Sequence, residues 1–66
     1  MDLELKKPES AGDYNTVTLL DGTEVSTFLT GGEYWFDIKN TLGHSEQVIY
    51  KKFNSGVKYI KKRFKL

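Results

Sequence analysis

Apolar and polar positions alternate in short stretches along most of this chain, and polar residues and glycines separate the stretches. In residues 16–20, Val17 and Leu19 alternate with Thr16 and Thr18, the period of a half-buried strand. Residues 23–30 place Val25, Thr27 and Leu29 on one face and Phe28 on the other. A large aromatic out of phase suggests a bent strand that meets neighbours on both faces, as in a small barrel. Asp21-Gly22 between these stretches tolerates positive φ and reads as a tight hairpin. After Gly31-Gly32, residues 34–39 put Tyr34, Phe36 and Ile38 towards a core and Trp35, Asp37 and Lys39 away from it. A polar connector at residues 40–45 leads to residues 46–51, where Val48, Ile49 and Tyr50 are β-formers. Phe53-Asn54-Ser55-Gly56 reads as a further turn, and residues 57–61 as a fifth strand with Val57 and Tyr59 inward.

The last stretch supports a second reading. Val57, Ile60 and Phe64 also stand at i, i+3 and i+7, the spacing of an amphipathic helix, while the β-branched and aromatic residues there favour a strand. At the other end, Leu3 and Leu5 alternate briefly before Pro8, Ser10, Ala11, Gly12 and Asp13 interrupt any regular element. The pattern therefore predicts an all-β chain: an N-terminal arm over residues 1–13, then a small, strongly bent, five-stranded open barrel over residues 14–66 with a basic C-terminal end.

Size makes such a barrel marginal. The chain has 66 residues and no cysteine, and its one histidine, His44, has no metal-binding companions in sequence. A fold this small buries only about 60% of its unfolded surface and usually needs a staple. With disulfide and zinc excluded, self-association is the remaining staple. The strands around Val48 and Val57 are the expected edges, and pairing two different edges head to tail closes a ring if the rotation permits. No run is apolar enough to span a membrane and the start does not resemble a signal peptide, so a cytoplasmic location is expected.

Charge then changes the picture. The formal net charge is only +1, but residues 1–50 carry a balance of −6 and residues 51–66 a balance of +7. The basic end suggests an anionic partner. Tyr50-Lys51-Lys52 stands where a strand runs out, so one ring and two cations could stack a base and neutralise a phosphate. Lys58, Lys61, Lys62 and Arg63 would add a secondary basic surface. The acids are scattered, and no phosphate loop, nucleophile elbow or metal-ligand spacing appears, so neither an enzyme nor a cofactor is expected. The competing reading is an SH3-like module that binds protein through Tyr34 and Trp35.

Two tracts carry a family resemblance. Val17-Thr18-Leu19-Leu20-Asp21-Gly22-Thr23-Glu24-Val25 resembles the first motif of the Sm-like proteins, a strand, turn and strand. Gln47-Val48-Ile49-Tyr50-Lys51-Lys52 resembles the second motif of their bacterial Hfq branch, in which Tyr-Lys-His follows apolar residues; Ile38-Lys39-Asn40-Thr41 is similar to the end of its third strand. The similarity covers about residues 15–60. It implies a hexameric ring of Sm-type barrels acting as an RNA chaperone, with U-rich single-stranded RNA at a pore lined by Tyr50, Lys51 and Lys52. It also implies a stacking aromatic at Tyr34 or Trp35, and a purine contact at Gln47. Lys52 departs from the family histidine, Thr18 from a tyrosine that serves A-rich RNA, and residues 1–13 do not read as the family's N-terminal basic helix. Charge alone does not separate RNA from DNA, since both present phosphates.

Overall fold

The computed structural model describes residues 5–66; the first part of the expected arm, with Leu3, lies outside them. The element order is β1 (Tyr14–Thr18), β2 (Glu24–Thr30), β3 (Glu33–Lys39), β4 (Ser45–Tyr50) and α1 (Phe53–Phe64). The strands form one antiparallel meander in the order β1-β2-β3-β4. The β-rich, open architecture follows the hydrophobic pattern. Five strands do not form: among the described residues there are four, β1 and β4 are the sheet edges, and residues 57–61 belong to α1.

Register explains which side chains meet. Val17 pairs with Val25 and Val25 with Ile38, while Thr27 pairs with Phe36 and Phe36 with Val48. These residues share one face of the sheet, and α1 packs across that face over β3 and β4. Leu19, Val25, Phe36, Ile38 and Ile60 form the buried core. The helix forms because Phe53, Val57, Ile60 and Phe64 line one of its sides, and covering the apolar sheet face with that side outweighs their local strand preference. Gly56 is buried within α1 rather than in a turn. A β-carbon there would overlap the Phe36 ring, so the glycine sets how closely the helix approaches the sheet.

The loops hold the strands in register. The β1–β2 connection spans residues 19–23, longer than the two-residue turn expected at Asp21-Gly22. Leu19 N–H donates to the Thr23 carbonyl at 2.7 Å, and Gly22, at φ +90°, donates to the Leu19 carbonyl at 3.0 Å. Thr23 N–H donates to the Asp21 carboxylate at 2.9 Å, which lowers the Asp21 pKa below its ordinary value. Residues 40–44 repeat the backbone pattern between β3 and β4, and here the Asn40 side chain accepts from Leu42 and His44 N–H groups. His44 lies exposed in this loop, as its polar surroundings suggested.

Residues 5–13 contain neither strand nor helix, yet they are fastened to the sheet. Pro8 is buried and Leu5 packs against the core. Lys6 exchanges two hydrogen bonds with the Asn15 side chain, at 3.2 and 2.6 Å. This path carries Lys7 over the Tyr34 ring.

Candidate nucleic-acid interface

Where β4 ends, Lys51 and Lys52 turn the chain into α1. Lys52 is the helix N-cap, in an extended conformation and with no side-chain capping bond. The first helical turn contains no acid. The unpaired N–H groups of a helix start carry partial positive charge, which a carboxylate usually offsets. Here two lysines stand beside that charge instead, a repulsion that a nearby anion would relieve. The basic residues of the last turn, Lys61, Lys62 and Arg63, have the favourable polarity, and Lys65 closes the helix in the left-handed region at φ 56°.

A cavity of about 370 Å³ opens at this junction, lined by Lys7, Tyr34, Lys51, Lys52, Phe53 and Asn54. Lys7 Nζ lies 5.9 Å from the centre of the Tyr34 ring, and Tyr34 meets Phe53 edge-on with centroids 5.8 Å apart. Three lysines, a helix start and a partly exposed phenol therefore border one cavity. Such a set can neutralise a phosphate and offer a ring to a flat base.

The residues singled out from sequence separate into two groups. Tyr34, Lys51 and Lys52 come together in this cavity. Tyr50 points to the helix-covered side, half-buried against Phe36 and Tyr59, with centroids 6.2 and 6.0 Å away. Trp35 and Gln47 lie on the opposite sheet face by strand alternation. Register thus distinguishes Tyr34 from Trp35, which sequence spacing left open. Lys58, Lys61 and Lys62 are exposed along α1. Arg63 is engaged: it forms an ion pair with Glu46 of β4 and donates to the Tyr59 hydroxyl at 3.1 Å. That pairing lowers the Glu46 pKa and raises that of Arg63, in both cases chiefly through their shared hydrogen bond. Arg63 thus fastens the helix to the sheet.

Lys7, Phe53 and Asn54 line the cavity without having been singled out. No local pattern marks them, because Lys7 arrives with the arm and Phe53 faces inward only once residues 53–64 are helical. Among the described residues no group of His, Cys, Asp and Glu side chains could hold a metal ion, and no helix is long and apolar enough to cross a membrane. Searches of protein-family models, curated proteins and solved structures find no match to this chain.

Proposed function

We propose that this protein binds single-stranded nucleic acid, with RNA as the favoured substrate, at the end of the sheet where β4 passes into α1. The observation that carries this reading is that Lys7, Lys51 and Lys52 border one cavity with Tyr34 at a helix start without an acid. Phosphates would sit at the lysines and the helix N–H groups, and a base against Tyr34. Lys58, Lys61 and Lys62 extend the positive surface along the outer side of α1 for neighbouring phosphates. The Hfq-like reading supplies the preference for U-rich RNA, and the Tyr50 part of its pore is replaced here by Tyr34.

Ring assembly belongs to the same proposal, with different strands from those of an Sm barrel. Within the ladders, β1 and β4 each have one free side and contain no lysine or proline. A four-stranded meander has edges running in opposite directions. Copies with the same orientation would therefore pair β4 with the next β1 in antiparallel fashion, and a closed circle of them would sum weak single contacts.

Fluorescence anisotropy with oligo-U, oligo-A and oligo-dT at several salt concentrations tests the binding. Oligo-U should bind most tightly, and binding should weaken steeply with salt. Each of Lys7→Ala, Lys51→Ala and Lys52→Ala should lower the slope of log affinity against log salt by about 0.7. Tyr34→Leu should cost about 1–3 kcal/mol of binding with the slope unchanged. Salt-independent binding, or binding indifferent to Lys51 and Lys52, would refute the site. Light scattering tests the ring separately: the expected mass is several times the 7.6 kDa of one chain.

A further inference from the structure

The sheet face turned away from α1 carries a row that crosses all four strands. Tyr14 pairs with Phe28, Phe28 with Trp35, and Trp35 with Ile49. Tyr14 is 71% exposed and Ile49 45%, while Phe28 and Trp35 are half-buried and stack with centroids 5.9 Å apart. At the β1 margin the row runs into a depression of about 430 Å³ whose wall includes Ala11, Gly12 and Leu29. At ordinary strand spacing the row is roughly 14 Å long. Among the described residues, the charged groups that flank it on this face are Glu33 and Asp37, two residues to either side of Trp35; Glu24 and Lys39 pair with each other further along β2 and β3.

We propose that this row is a docking surface for a cationic amphipathic helix of a partner chain, with a stripe of large apolar side chains and lysine or arginine on both of its flanks. The apolar groups would lie along Tyr14, Phe28, Trp35 and Ile49, and the cations would meet Glu33 on one flank and Asp37 on the other. About nine helical residues match the length of the row. Charge complementarity selects this occupant. Nucleic acid would bring phosphates against carboxylates. Two copies meeting face to face would oppose acid to acid. The α1 of a second copy offers lysines but no apolar strip, because Phe53, Val57, Ile60 and Phe64 are turned towards its own sheet.

Trp35 is the chain's one tryptophan, so its emission reports on this face directly. The probes are short synthetic helical peptides added to the full chain: one with a leucine stripe flanked by lysine, one with glutamate in place of lysine, one with serine in place of leucine. The lysine–leucine peptide should produce a saturable change in Trp35 emission, and the other two should produce none in the same range. Glu33→Lys with Asp37→Lys should weaken that binding at least about fivefold, as should Ile49→Ser or Tyr14→Ser. The two exposed positions keep the test informative if the charge reversals disturb folding. Equal response to the glutamate–leucine peptide, or no saturable response, would overturn the proposal. It would also be overturned by a solution mass that falls to one chain on Glu33→Lys with Asp37→Lys, since both lie on the inner strand β3 and the face would then be occupied by another copy.

Discussion

The two faces of the sheet are made from alternate residues of the same four strands, yet they differ in almost every physical respect. The face under α1 is dry: Val25, Thr27, Phe36 and Ile38 are buried there, and Ile60 fills the space above them. The opposite face leaves Tyr14 and Ile49 in solvent and carries carboxylates between its apolar residues. Positive charge follows the helix, with Lys58, Lys61 and Lys62 on its exposed side and Lys51 and Lys52 at its start. One strand alternation thus produces both a core and a free surface, and the charge asymmetry between the two ends of the chain becomes an asymmetry between two sides of the molecule. Stability should depend on close fit on the covered side and be nearly indifferent to substitution at the exposed positions of the bare one.

The sharpest test of that difference is Gly56→Ala. On an exposed helix this change would stabilise by about 1 kcal/mol through helix propensity. Here the added methyl group meets the Phe36 ring, which is itself fully buried. Overpacking of this kind costs about 1–3 kcal/mol, so the net effect should be destabilising. In a domain this small each kcal/mol corresponds to roughly 4–8 °C in melting temperature. The paired control is Ile49→Thr on the bare face, expected to change stability by less than about 0.5 kcal/mol. Thermal unfolding of both variants checks the contrast. Equal losses would mean that the two faces are not mechanically distinct.

Gly56 also shows where sequence reading fails. Strands β2 and β3 follow from alternation to within about a residue, with Val25 and Thr27, and Phe36 and Ile38, on the dry side, and β4 follows from its run of β-formers Val48, Ile49 and Tyr50. Residues 53–56 contain Asn, Ser and Gly, a combination that marks turns in the absence of tertiary context. The glycine is required by close approach to Phe36, a residue far away in sequence, and no local signal carries that. The spacing of Val57, Ile60 and Phe64 did contain the helix, but β-branched and aromatic side chains argued against it. Only the apolar sheet face that needed covering decides between the two. For the candidate site, Lys51 and Lys52 were legible as cations at a strand end. The choice of Tyr34 over Tyr50 and Trp35 needed the register, and Lys7 needed the path of the arm.

A second contrast compares hydroxyl groups on the two faces. Thr27 is fully buried on the covered side, and its Oγ1 has no hydrogen-bond partner. Thr16 lies on the bare side, where its Oγ1 and the Ser26 hydroxyl are 2.8 Å apart. Replacing a buried, unpartnered hydroxyl by a methyl group of the same shape removes a desolvation penalty. Thr27→Val should therefore stabilise by about 1 kcal/mol, whereas Thr16→Val should be neutral or cost up to about 1 kcal/mol. Chemical denaturation with unchanged m-values would measure both. A destabilising Thr27→Val would show that the covered side contains a polar contact, and hence is less dry than its packing indicates.

The smallest effect concerns the fastening between helix and sheet. Glu46 sits on the covered side of β4 at its outer margin, and its pKa is lowered chiefly by the hydrogen bond from Arg63. A carboxylate with a lowered folded-state pKa contributes stability that is fully present above its unfolded value, about 4.3, and is lost as pH falls through the folded value. The pair is partly exposed, with 37% of the Arg63 side chain and 46% of the Glu46 side chain accessible, so its contribution is modest and weakened by salt. Glu46→Gln should lower the melting temperature slightly at neutral pH, and the gap from the unaltered chain should narrow as the pH is taken below about 4. Asp21, whose pKa is also lowered, provides an acid-side loss that both proteins share. If the gap stays constant across that range, or persists undiminished in concentrated salt, the ion pair does not hold α1 to β4, and packing around Ile60 and Gly56 alone keeps the helix on its face.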